Sequence, residues 1–267
     1  KIATYSPTKS YGRWGAGKTT CQPVKYYSGT GTTCITCTAN NYCPGGEFAT
    51  DIGQIEGLNK CPEQGNSPSG TASVSGCYKT QLTYIATNGS GTQTCYYNQN
   101  SANYNDNCRD KAITLCDAGY YLANPDTSDP DCVAVGIGYY STGTGTNRDQ
   151  CPNNGLTETT TSSMIQDCYK EGMNYEAIYG TGTQRCFYSS GSGNSAIYQR
   201  NCDTKRINSC RGGYWLSNSS DEDCSPVGQN FYSDPDDIQR HECPSNGKTE
   251  SNIADTIGQC YKDGLPY

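Results

Sequence analysis

Aliphatic side chains are scarce. Leu, Ile, Val and Phe together make up about 11% of the 267 residues, with two Met, two Trp and a single His besides. So little apolar surface cannot fill a large oily interior, and composition alone would place the chain among disordered sequences. No long apolar run and no signal-peptide pattern are visible, so no segment is expected to span a membrane. Basic residues do not cluster either. Nineteen Lys and Arg stand against 26 Asp and Glu, interspersed, for a net charge of −7. That disfavours nucleic acid and anionic lipid, which need a basic face, and leaves charge a role in solubility. No segment of ten or more residues carries apolar side chains at helical spacing. A base, a nucleophile and an orienting group are not evident as a set, so an enzyme is not expected.

What is abundant is cysteine, 18 residues, with 23 Tyr and 31 Gly. An even cysteine count at this density implies a disulfide framework and an oxidising, extracellular setting, as a mature secreted chain or an excised ectodomain segment. A bridge closing a loop of about 15 residues contributes roughly 3 kcal/mol in the chain-entropy account. Nine bridges would replace much of the missing core.

The cysteines recur in register. Cys61, Cys77, Cys95, Cys108, Cys116 and Cys132 map onto Cys151, Cys168, Cys186, Cys202, Cys210 and Cys224, and Cys243 and Cys260 open a third round. Self-similarity of this kind marks a repeat architecture. We therefore expect a divergent N-terminal unit over 1–77, repeats over 78–168 and 169–260, and the start of another over 261–267. An elongated array follows from that reading. Pairing in sequence order is expected for the fourteen regular cysteines, because it closes short loops, although crossed pairings stay open. Residues 1–20 hold no cysteine, so Cys21 lacks the partner that Cys116 gives Cys132. The connectivity of Cys21, Cys34, Cys37 and Cys43 stays open.

The expected fold class is all-β, disulfide-rich, made of small hairpin or meander modules with many loops. Residues 83–98 and 174–190 read as hairpins, the first turning at Asn88-Gly-Ser-Gly. A third strand is expected over AIYQRNC, ending at Cys202 and stapled to the second strand through Cys186. SSMIQDC and NIADTIGQC read as single helical turns.

Several patterns resemble chemistry without its context. Gly12 to Thr19 matches a phosphate-loop spacing, but no buried strand precedes it and Pro23 obstructs a following helix, so a Gly/Lys/Thr-rich turn is expected. Cys34-x-x-Cys37 lacks a helix start for redox work and a second close pair for zinc, so structural bridges are expected. His241 reads as a turn residue facing solvent. Asp126, Asp129 and Asp131 recur in position as Asp221, Glu222 and Asp223, with Ser233 to Asp237 as a third acidic turn. These are the candidates for weak Ca²⁺ binding, although no twelve-residue loop spacing is present and solvated turns are the plainer reading. No other cofactor is expected. In Tyr96-Tyr97, Tyr120-Tyr121 and Tyr139-Tyr140, one ring is expected over a disulfide and the other toward solvent or the next unit. An exposed row of such rings would suit adhesion. Asn88-Gly-Ser and Asn218-Ser-Ser are glycosylation sequons.

The pattern Cys-x-x-Gly-Tyr-Tyr, then about ten residues rich in Ser, Asn and Asp, then Cys is legible at Cys116 and, with Trp in second place, at Cys210. A related YYSGTGTTCITC runs from Tyr26 to Cys37. These resemble the cysteine-rich repeats of ephrin-receptor-like and tumour-necrosis-factor-receptor-like ectodomains, and more closely the Cys-Gly-Tyr-Tyr repeat proteins of some bacterial surfaces. The regular units lack the receptor modules' Cys-x-x-Cys. The resemblance implies an extracellular, non-catalytic protein for adhesion, scaffolding or ligand display. Two functions follow as expectations: a structural or adhesive component of a fibre, stalk or filament, or a receptor-like ectodomain that binds a protein or glycan. YKDGLPY at 261–267 matches 78–84 and 169–175. It suggests a fragment of a longer repeat protein, or a subunit whose self-association completes an open edge by strand addition.

Overall fold

The computed structural model describes residues 17–51, 53–189, 198–199 and 201–264. Among these there is no α-helix; short antiparallel strands and six 3-10 turns carry the chain. The chain divides into two compact units. One comprises 1–115 with 122–131, the other 116–121 with 132–267.

In the first unit, Lys18–Cys21 pairs with Gly46–Ala49, Lys25–Tyr27 with Cys34–Thr36, and Asn41–Tyr42 with Asn59–Lys60. Its largest sheet has three strands, Tyr78–Ile85, Gly89–Asn98 and Asn103–Cys116, in that order. The second unit repeats this sheet with Cys168–Glu176, Gly180–Phe187 and Cys202–Cys210, and adds Leu156–Thr157 at one edge. Thr, Tyr and Ile in these strands favour the pleat. The register slips at the same place in both first strands, between Lys79 and Leu82 and between Lys170 and Met173. Gln81 and Gly172 there have positive φ, as a bulge requires. Further two-stranded ribbons, such as Tyr120–Tyr121 with Val133–Ala134 and Tyr214–Trp215 with Ser225–Pro226, complete the second unit.

Sulfur forms the cores. Cys61, Val74, Cys77, Cys95 and Tyr104 make one cluster; Cys151, Cys168, Cys186 and Tyr198 make its counterpart. The bridges run in sequence order throughout: 61–77, 95–108, 116–132, 151–168, 186–202, 210–224 and 243–260. The N-terminal set follows the same rule, with Cys21 bonded to Cys34 and Cys37 to Cys43. Cys34 and Cys37 are therefore not partners.

Two details differ from expectation. The first hairpin reverses at Thr87-Asn88, where the Ala86 amide donates to Gly89 O at 2.9 Å, and Gly89-Ser90-Gly91 lies in the strand. Gly91 serves a close approach rather than the turn, since a Cβ there would collide with Ala112 O. The third strand of the second sheet begins at Cys202, the register partner of Cys186, while Ala196, Ile197 and Arg200 of the expected strand lie outside the described residues. The two helical segments are 3-10 turns, Ile165–Asp167 and Ile257–Gln259.

Candidate functional site

The acidic turns dock onto the hairpin tips. A two-residue reversal leaves its central amides without strand partners, and a carboxylate can take both. Asp131 accepts from the Thr87 and Asn88 amides at 3.3 and 3.0 Å. Asp223 accepts from Ile178 and Tyr179 at 3.1 and 2.9 Å. A tyrosine hydroxyl pins each loop further: Tyr84 donates to Pro130 O at 3.0 Å and Tyr175 to Glu222 O at 2.8 Å. Lys111 pairs with Asp129 and Lys205 with Glu222, and each ammonium lies 5.0 Å from a ring centroid, Tyr84 or Tyr175. Asp221 accepts from the Ser217 hydroxyl and the Asn218 amide. Five of the six calcium candidates are thus engaged within the protein, and Asp126 stands exposed. Ca²⁺ needs six or more oxygens, and no group of three His, Cys, Asp or Glu able to hold a metal lies among the described residues. The geometry makes these carboxylates latches.

A second recurrent element is the turn after the first cysteine of three bridges, 61–77, 151–168 and 243–260. Cys61-Pro62-Glu63-Gln64-Gly65, Cys151-Pro152-Asn153-Asn154-Gly155 and Cys243-Pro244-Ser245-Asn246-Gly247 all place two consecutive residues at positive φ. The glycine amide returns to the proline carbonyl at 2.9, 3.0 and 3.0 Å. In the first two turns a buried tyrosine caps that carbonyl, Tyr104 donating to Pro62 O at 2.9 Å and Tyr198 to Pro152 O at 2.7 Å. Burial raises both hydroxyls' pKa, that of Tyr198 to about 12; Glu63 and Tyr97 add to the effect at Tyr104. Sequence reasoning passed over this turn, although Cys-Pro-x-x-Gly is written three times in the chain.

The double tyrosines divide their work inside the fold. Tyr97 meets Tyr104 edge-on over the Cys61 and Cys95 cluster, while Tyr96 packs on Tyr78 beneath the Arg109 guanidinium. Arg148 lies between Tyr121 and Tyr139, 4.1 and 4.0 Å from their centroids, and donates to Val135 O. Arg240 repeats this between Trp215 and Phe231, donating to Val227 O at 3.2 Å. Such stacking of a guanidinium on rings is favourable and orders both. The described tyrosines form no exposed row of the kind that would suit adhesion. Among the described tyrosines only Tyr261 is exposed.

The remaining candidates are plain. His241 lies on a short strand and bonds Asp237 at 2.7 Å, which holds that carboxyl below its ordinary pKa. Among the described residues no hydroxyl or thiol engages the ring. Lys18 and Thr19 of the phosphate-loop spacing open a strand, where no helix amides converge; Gly12 to Ala16 lie outside the described residues. Asn218 is exposed and Asn88 half-buried at the hairpin tip.

With stapled sheets, capped turns and latched tips all duplicated, the chain is a disulfide-rich, all-β protein built from repeats. It matches no family model, no curated protein and no solved structure. No helix among the described residues is long and apolar enough to cross a membrane. Nine bridges and no free cysteine among the described residues fit an oxidising environment.

Proposed function

We propose that the protein is a structural or adhesive component of an extracellular surface assembly, a fibre, stalk or filament. The observation that carries this reading is position-by-position duplication of the stapled module, down to the latch carboxylates Asp131 and Asp223 and the capping hydroxyls of Tyr104 and Tyr198. Duplicated modules would offer related surfaces, as a repeated building material needs. The resemblance of the Cys-x-x-Gly-Tyr-Tyr pattern to bacterial surface repeat proteins supports the same setting. Contacts would run through strand edges rather than tyrosine rows, since the rings are engaged internally. Electron microscopy of the non-reduced protein tests the proposal. Filaments or rods whose mass rises with concentration are expected; a strictly monomeric compact particle at every concentration would refute it.

A further inference from the structure

Among the described residues tyrosine meets tyrosine in four ring pairs, and one of them differs in kind. Tyr78 with Tyr96, Tyr97 with Tyr104 and Tyr188 with Tyr198 meet tilted or edge-on, at centroid distances of 5.7, 5.2 and 6.2 Å. Tyr179 and Tyr214 lie face to face at 4.2 Å, with 8° between their planes.

Both members of that pair are held by their backbones. Tyr179 sits at the tip of the second module's hairpin, where its amide donates to Asp223 at 2.9 Å and its carbonyl accepts from the Arg211 amide at 2.9 Å. Tyr214 opens the short strand Tyr214–Trp215, which pairs with Ser225–Pro226. The two rings pack against Ile207 and the Cys210–Cys224 bridge, yet each is only half-buried, so an oxidant in solvent can reach them. Burial raises the Tyr214 hydroxyl's pKa and the neighbouring Tyr179 hydroxyl adds to the rise, so Tyr214 stays protonated at neutral pH. No free thiol is present among the described residues to intercept a radical. The first module has no such pair, since Asn88 takes the position of Tyr179 and Tyr120 that of Tyr214.

We infer that Tyr179 and Tyr214 form a site of oxidative cross-linking, joined through the ring carbons beside their hydroxyls by an oxidant of the peroxidase class acting with hydrogen peroxide. The oxidant takes one electron and one proton from each phenol, and the peroxide leaves as two waters. The two ring radicals then combine their unpaired electrons in one carbon–carbon bond. Each newly bonded carbon gives up its hydrogen as a proton, each oxygen takes one back, and both rings regain aromaticity. The product is a dityrosine with both hydroxyls intact and two hydrogen atoms fewer than the separate rings. Radicals that must first diffuse together are lost to side reactions, whereas stacked rings need no encounter. The bond ties the hairpin tip to the neighbouring ribbon, one more covalent staple in a molecule with little apolar core. It forms within one chain and does not depend on assembly.

The test is treatment of the dilute, non-reduced protein with a haem peroxidase and hydrogen peroxide, followed by intact-mass measurement, reduction and trypsin. A loss of two hydrogens per chain is expected, with dityrosine fluorescence and residues 171–185 joined to 212–240 through Tyr179 and Tyr214. Tyr179→Phe and Tyr214→Phe each keep a ring in the stack but remove a phenol, and each should abolish the joined peptide. Tyr188→Phe, in an edge-on pair, should leave its yield unchanged. Reducing the bridges and unfolding the chain in urea before oxidation should abolish it as well. No joined peptide, one that persists in Tyr179→Phe, or one formed equally from the unfolded chain would each overturn the site. None of these outcomes bears on filament formation, which the imaging experiment reads separately.

Discussion

Residues 61–132 and 151–224 fold alike, and the places where they differ separate what the module requires from what it tolerates. The bridges, the Pro-x-x-Gly turn, the capping tyrosine and the latch aspartate keep both position and partner. The cation over the aromatic pair does not. In the first module Arg109, on the third strand, covers Tyr96, which packs on Tyr78. In the second Arg185, on the second strand, covers Tyr169 and Phe187, which pack on each other in the same way. Residue 203, which matches position 109, is an aspartate that pairs with Arg185. A half-exposed ring pair asks only for a cation above it, and two strands can supply one. A buried donor or bridge has one geometry, so its residue cannot move.

Loss of an element common to both modules should have the largest effect. Cys151→Ala with Cys168→Ala should cost about 3 kcal/mol, as should Cys61→Ala with Cys77→Ala, since the two loops are of nearly equal length. Urea titration of the non-reduced proteins checks both; a loss in one module and none in the other would show that the two cores are not equivalent. Gly182→Ala should follow at about 1–3 kcal/mol, because its Cβ would run into Arg206 O on the neighbouring strand. Gly91→Ala should behave alike against Ala112 O, and amide exchange along either sheet would report the damage.

Smaller effects sharpen the likeness. Asp223→Ala removes the acceptor of the Ile178 and Tyr179 amides at the hairpin tip and should cost about 0.5–1.5 kcal/mol. Accelerated exchange at those two amides is the diagnostic readout. Tyr198→Phe removes the cap on Pro152 O and should cost roughly 1 kcal/mol. The same hydroxyl sets an alkaline limit. Its folded-state pKa is about 12, raised first by burial, so its stabilisation is complete below the ordinary tyrosine pKa. It is then lost as pH rises from there toward 12, and Tyr198→Phe should flatten that part of the stability curve.

The all-β class and the order of the regular bridges were legible in the sequence, because cysteine spacing and strand alternation are local signals. The connectivity of Cys21, Cys34, Cys37 and Cys43 was not, since four cysteines allow three pairings and only the fold selects one. The hairpin turn was misplaced by a rule that reads Asn-Gly as a reversal. Gly89 and Gly91 instead lie in a strand, where Gly91 lets Ala112 O approach, a demand that comes from residues twenty positions away. The acidic turns suggested a cation for a similar reason. Their real partners, the amides of residues 87, 88, 178 and 179, are more than 40 residues distant. Tyrosine pairs gave the alternation of faces but not the arginines that cover them, because a stacked cation leaves no periodic mark.

The least perturbing test concerns what the second module has and the first lacks. Arg185 bonds Asp203 through two nitrogens at 2.7 Å and also reaches Glu158, so its own pKa rises and that of Asp203 falls, each first through their mutual hydrogen bond. A carboxylate with a lowered folded-state pKa stabilises above its unfolded value, and that contribution disappears as pH falls through the folded one. Acidification should therefore weaken the second sheet slightly, while the matching site of the first, with Arg109 and Thr94, gives no such pair. Both partners are partly exposed, so Asp203→Asn should cost only ~0.2–1 kcal/mol near neutral pH and still less at high salt. Amide exchange compared between the two sheets at pH 3 and pH 7 reads the difference directly. Equal acid sensitivity in both, unchanged by Asp203→Asn, would mean that the fork merely holds Arg185 over its rings.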